Sequence, residues 1–221
     1  ARCGLSLGHF PTPSPAETGG CCRVVPFLPA PFRLAPPLAP VAAFLLPAVT
    51  AVAQRLPNVA RPEHYTLQLA PDLQAATFTG EETIDLTLTQ AVDSIALNAW
   101  QLKFGAVTAQ VNGKSLPAEV TLDPSLQQAT FKFDRKLPAG SVTLKIAYSG
   151  ILNGELRGFY LSRTPRRNYA VTQFEPTDAR RAFPSFDEPA YKATFDVSLI
   201  VPQGDTAIGN TNIVSDTPGP I

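Results

Sequence analysis

The chain contains no methionine, two histidines, three cysteines and one tryptophan, and its 18 Lys and Arg balance 18 Asp and Glu. Each shortage excludes something. The charge balance removes the electrostatic footprint of a nucleic-acid binder or an anionic-membrane binder. Cys3, Cys21 and Cys22 stand close to the N-terminus without CxxC spacing or a neighbouring ligand cluster. Neither a disulfide framework nor a zinc finger is available from them. The missing methionine extends to an initiator, which is read as the mark of an incomplete stretch of a longer gene product. What the chain has in quantity is proline, 23 of its 221 residues, and many of these fall in the first fifty positions.

Residues 1–53 differ in kind from the rest. Ala1 to Pro40 is rich in Pro, Gly and Ala with no sustained period, the composition of a disordered or low-complexity segment. From Arg33 the text becomes "RLAPPLAPVAAFLLPAVTAVAQ": a basic residue, an apolar stretch, then Ala51-Val52-Ala53 before Gln54. This is the layout of a secretory signal peptide with a small-residue cleavage site, and it predicts export to a periplasmic or extracellular location. Without such a signal the protein is expected to be cytoplasmic. Pro36, Pro37, Pro40 and Pro47 interrupt the apolar run, which argues against a transmembrane helix.

From Gln54 onward the pattern has period two. "HYTLQLA" sets Tyr65, Leu67 and Leu69 on one face, and "TFTGEETIDLTLT" does the same with Ile84, Leu86 and Leu88. Similar runs follow at 94–98, 102–111, 119–122, 129–133 and 142–148, separated by turn signals such as Asn112-Gly113, Asp123-Pro124 and Pro138-Ala139-Gly140. Short strands at this spacing predict an all-β domain over 54–221, an antiparallel β-sandwich or saddle-like sheet. The one helical candidate is "TDARRAF", with Thr177 as the expected cap of a single turn.

One segment breaks the alternation. In "TQFEPTDARRAFPSFDEPAYKATF", Thr172 to Phe195, acids, arginines, aromatics and three prolines crowd together. Charges of alternating sign in such a loop mostly fix its shape, and Asp178, Arg180, Arg181, Asp187, Glu188, Lys192 and Asp196 are read in that way. Phe174, Phe183, Phe186, Tyr191 and Phe195 are its expected apolar anchors.

The same segment resembles the zinc aminopeptidases of the aminopeptidase N and puromycin-sensitive aminopeptidase family, the gluzincin exopeptidases. The likeness extends to "RLPNVARPEHYTLQLAPDL", "TFTGEETIDLTL", "IALNAWQL" and "YSGILNGELRGFYLS", in the family's order and over roughly Arg55 to the end. Linked motifs over such a span are far more specific than any one of them. One position departs: the family usually has Cys in "FPCFDEP", where this chain has Ser185. A change of that size in a packed corner is expected to alter packing and leave chemistry alone.

The resemblance implies a zinc-dependent aminopeptidase that removes N-terminal residues from peptides, and it implies that only the front of one is in hand. The family's GAMEN-type loop and HExxH helix do not occur in this sequence. With His9 and His64 as the only histidines, the family's zinc site cannot form, and His64 is read as a structural residue at a strand start. No metal ligand and no catalytic residue is therefore assigned to this chain, and zinc is expected only in the complete parent enzyme. The Gln-x-Glu of "TQFEP" implies a contribution from Gln173 and Glu175. An exopeptidase must register on the first residue of its substrate. A carboxylate fixed at the substrate ammonium does so, through a charge-assisted hydrogen bond of about 1.5–3 kcal/mol. Glu175 is the expected anchor, and Gln173, on the same strand face, is expected to line the pocket for the first side chain. The expected partners are peptides with a free N-terminus and the missing catalytic domain. Two alternatives stand beside this reading: a free-standing β-sandwich used for binding or docking, and the family's epoxide-hydrolysing branch.

Overall fold

Alternation on this chain makes strands that bury one face each, and the computed structural model describes them over residues 55–217. These lie in a single unit, Ala51–Ile221. The low-complexity and signal-peptide readings, with Cys3, Cys21, Cys22 and His9, fall outside the described residues.

Ten strands follow in order: β1 (Ala60–Asp72), β2 (Thr77–Leu88), β3 (Val92–Asn98), β4 (Lys103–Val111), β5 (Lys114–Asp123), β6 (Gln128–Leu137), β7 (Gly140–Ile151), β8 (Gly158–Arg163), β9 (Asn168–Gln173) and β10 (Thr194–Leu199). Eight of them form one sheet in the order β10-β1-β2-β7-β4-β5-β6-β3, while β8 and β9 pair as a separate hairpin. The all-β reading holds, with one difference from a purely antiparallel arrangement. β10 returns to the edge parallel to β1, in the register His64 to Thr194 through Leu69 to Leu199. Among the described residues no helix is long and apolar enough to cross a membrane.

The turns follow from their residues. Asn112 and Gly113 both take positive φ (49° and 73°) and join β4 to β5, as a two-residue hairpin of this twist requires. After β5, Asp123 Oδ1 accepts the Ser125 hydroxyl (2.6 Å) and the backbone N–H groups of Ser125 (2.9 Å) and Leu126 (3.1 Å). The Ser125 hydroxyl bond leads in holding this carboxyl below the ordinary aspartate range.

The eight-stranded sheet curls so that its inward faces share one core. Tyr65, Leu67 and Leu69 of β1, Ile84 and Leu86 of β2 and Leu144 and Ile146 of β7 join Ile95 and Leu97 of β3 and Phe131 of β6. Each such side chain, withdrawn from water, stabilises the fold by about 1.5–3 kcal/mol. On β2 the inward set also includes Gly80 and Glu82. A Cβ on Gly80 would stand 2.3 Å from the Tyr148 ring, so only glycine lets that ring cross the strand.

A polar corner carrying an exposed carboxylate

The segment after β9 is neither strand nor helix. From Asp178 to Phe186 it passes into the protein: Arg181 through Phe186 are all buried, and Ala179–Arg181 forms one 3₁₀ turn. Thr177 is not its cap. The N-cap is Asp178, whose side chain makes no capping hydrogen bond because it is engaged elsewhere.

The aromatics anchor the corner as their number suggests. Phe183 meets Phe174 (5.8 Å between centroids), Phe195 (6.2 Å) and Tyr65 (6.3 Å) edge-on, and Tyr65 stacks flat on Phe195 at 4.7 Å. Phe186 packs against Tyr191 at 5.2 Å. These contacts tie the corner to β1 and β10, and edge-to-face pairs add about 0.5–1.5 kcal/mol beyond their area.

The charges pair within the corner. Arg180 Nε donates to Asp187 Oδ2 at 2.8 Å, with both side chains largely buried. Arg180 Nη1 donates to Gln127 Oε1 (3.3 Å), and its carbonyl accepts the Trp100 N–H (2.8 Å). Arg181 Nε donates to Asp178 Oδ1 (2.7 Å), and its Nη1 to Gln101 Oε1 (2.8 Å). Gln101 and Gln127, which receive the two guanidinium groups, both sit at positive φ (60° and 53°), a conformation uncommon for residues with a side chain. Ser185 and Asn98 exchange backbone hydrogen bonds (2.8 and 3.0 Å), and the Asp187 N–H reaches Asn98 Oδ1 (3.2 Å). Glu188 accepts the Leu56 N–H at 2.6 Å. Asp178, Arg180, Arg181, Asp187 and Glu188 are thus structural, as expected, whereas Lys192 is simply exposed. His64 also belongs to the scaffold, its Nδ1 2.7 Å from Thr194 Oγ1 and its Nε2 3.4 Å from Asp196, across the β1–β10 seam.

Against this packed background Gln173 and Glu175 are exposed. Gln173 is the last residue of β9, paired with Gly158 at the start of β8. Glu175 lies just past the strand end, in a turn, so the two residues do not share a strand face as expected. The Asp178 N–H donates to the Phe174 carbonyl (2.7 Å) and closes the chain around Glu175, Pro176 and Thr177, all exposed. The two expected site residues share one short arm, which ends where the buried corner begins. A carboxylate so placed, free of any ion pair within 4.0 Å among the described residues, can accept hydrogen bonds from a cation brought to it.

No group of three or more His, Cys, Asp or Glu among the described residues is arranged to hold a metal ion. Period two carried back along β2 assigns Glu82 to the core, and the structure buries it there. Its two carboxylate oxygens find no hydrogen-bond partner among the described protein atoms, nor does the Tyr148 hydroxyl. Burial raises the Glu82 carboxyl well above the ordinary glutamate range and raises the Tyr148 and Tyr65 hydroxyls likewise.

Residues 61–220 match the family model of the Peptidase M1 N-terminal domain. The chain is 40% identical over 171 residues to Aminopeptidase M1-A of Oryza sativa subsp. japonica, covering 73% of this chain and 20% of that protein. It is 41% identical over 172 residues to the Puromycin-sensitive aminopeptidase of Caenorhabditis elegans (75% and 18%), and 42% over 171 residues to Aminopeptidase M1 of Arabidopsis thaliana (73% and 20%). The chain thus spans about a fifth of the length of these curated relatives. By this match over most of its length, the chain belongs to the M1 aminopeptidase family and carries that family's N-terminal domain.

Proposed function

We propose that this chain is the substrate-amine-anchoring front of a zinc-dependent aminopeptidase that removes N-terminal residues from peptides. The observation that carries the reading is an exposed Glu175 set beside a corner whose two arginines are each paired to a carboxylate and a glutamine. Catalysis by positioning requires a fixed group, since ordering a mobile side chain at binding costs part of what the contact contributes. A short arm closed by the Asp178–Phe174 hydrogen bond restrains the backbone that carries the carboxylate, and Gln173 beside it is suited to contact the first side chain. The catalytic residues and the zinc belong to sequence outside this chain, so the chain alone hydrolyses nothing. The relatives named above are called aminopeptidases, which supports the peptidase reading over the epoxide-hydrolysing branch. Their greater length supports a part of an enzyme over a free-standing docking module. Export, read from residues 33–53, and a boundary near residue 54 belong to the same proposal.

The test uses the full-length enzyme and one peptide with a free or an acetylated N-terminus. Glu175→Gln keeps the shape and removes the charge. It should lower kcat/KM for the free-amine peptide by about 1.5–3 kcal/mol, roughly ten- to a hundredfold, and narrow the discrimination against the acetylated form. Unchanged kcat/KM with unchanged discrimination would remove Glu175 from the anchor role.

A further inference from the structure

We propose that Arg181 is a positioning residue that holds the Gln173–Glu175 arm from both of its ends; the proposal rests on the anchoring role of Glu175. Its guanidinium takes the carboxylate of Asp178, where the arm ends, through Nε at 2.7 Å. Asp178 in turn donates its N–H to the Phe174 carbonyl at 2.7 Å, immediately before Glu175. The aliphatic stem of Arg181 lies on Gly158, the cross-strand partner of Gln173, where the arm begins. A Cβ on Gly158 would stand 2.5 Å from Arg181 Cβ and 2.8 Å from its Cδ, and Gly158 has a φ of +66°. Glycine is doubly required there, for the backbone and for the close approach of the arginine.

The arginine itself is fixed. Its side chain is 8% exposed, and that of Asp178 is 14% exposed. Its Nη1 donates to Gln101 Oε1 at 2.8 Å, from a residue held at a φ of +60°, and lies 3.9 Å from Glu155 Oε2. A planar fork meets two acceptors in different directions at once, which the single ammonium of lysine cannot reproduce with the same stem. One side chain therefore joins the start of the arm, its end and the Gln101 turn. Loosening it frees Glu175 without touching Glu175.

The test is a double-mutant cycle in the full-length enzyme with Arg181→Lys and Glu175→Gln, read with free-amine and acetylated peptides. Arg181→Lys should lower kcat/KM for the free-amine peptide about tenfold, mainly through KM, and speed hydrogen exchange at the Asp178 amide. Introduced into the Glu175→Gln background, it should cost less than about twofold more, because the group it positions no longer anchors. An equal loss in both backgrounds would make Arg181 a general structural residue and overturn the proposal. So would an unchanged Arg181→Lys enzyme alongside an impaired Glu175→Gln enzyme, a result that leaves the anchor standing. If Glu175→Gln alone has no effect, the anchoring role fails and the positioning role falls with it. Asp178→Asn, which keeps an acceptor for Nε but removes the charge, runs the same cycle if Arg181→Lys does not fold.

Discussion

Among the described residues charge is buried in two places and treated in opposite ways. In the corner after β9, Arg180 and Arg181 each meet a carboxylate and a glutamine amide, and the backbone around them is paired as well. On the inner face of β2, Glu82 is 3% exposed with Leu67 and Ile146 as its cross-strand neighbours and no hydrogen-bond partner among the described residues. The first arrangement fixes a shape. The second responds by taking a proton, since an unpaired carboxylate in an apolar core is far costlier than a neutral acid. A buried charge is thus a constraint where it is matched and a titrating group where it is not.

The largest effect should come from breaking the matched side. Arg180→Ala leaves Asp187 buried beside an empty site, and removing one partner of a buried pair typically costs about 3–5 kcal/mol. Urea denaturation should show a fall of that order in the unfolding free energy extrapolated to water. A loss of only a few tenths would mean the corner is solvated and not fixed by its pairs.

The unmatched side should behave conversely. A carboxyl raised in the folded state favours folding while it is protonated, and that contribution is complete below its unfolded value near 4.5. It is lost as pH rises toward the folded value, with a slope of at most about 1.4 kcal/mol per pH unit. Glu82→Leu should therefore stabilise the protein at pH 7 by about 1–3 kcal/mol, and the gain should shrink as pH falls toward 4.5. Denaturation curves across that range check both sign and trend. A gain independent of pH would show that Glu82 does not change protonation on folding.

The smallest effect belongs to Ser185, which sits in the matched corner yet has a buried hydroxyl with no partner among the described atoms. Ser185→Cys exchanges that group for a weakly polar one of similar shape. It should stabilise by up to about 1 kcal/mol, measurable as a rise in Tm. A fall in Tm would mean that the site has no room for sulfur.

The contrast also explains what the sequence made legible. Alternation on β1, β2 and β7 is strong because one face is buried and the other is not, so Tyr65, Leu67, Ile84 and Leu86 announced their side. Glu82 was passed over because an acid inside an apolar stripe contradicts the residue-type rule while obeying the positional one. β8 and β10 were not foreseen as strands, and β9 was expected only as a strand reaching as far as Glu175. β8 and β9 form a small two-stranded unit with mixed burial, and β10 is exposed along its whole length, so none has a clean two-sided pattern. Parallel pairing of β10 with β1 depends on a chain return that local pattern does not encode. In the corner the residue types predicted ion pairs, but which carboxylate each arginine takes depends on the turn at Ala179–Arg181. That turn engages Asp178 with Arg181 and leaves Thr177 outside, contrary to the expected cap. Gln173 and Glu175 were legible only through the linked family motifs, because a glutamate before proline is otherwise an ordinary exposed residue.

In the proposed enzyme the matched corner holds one exposed carboxylate where a substrate amine arrives. The most direct measurement is a crystal structure of the full-length enzyme with a non-hydrolysable peptide bearing a free N-terminus. The ammonium nitrogen should lie at about 2.7–3.0 Å from a Glu175 carboxylate oxygen, with the Asp178–Arg181 pair intact. An ammonium held by other groups, with Glu175 turned to solvent, would contradict it.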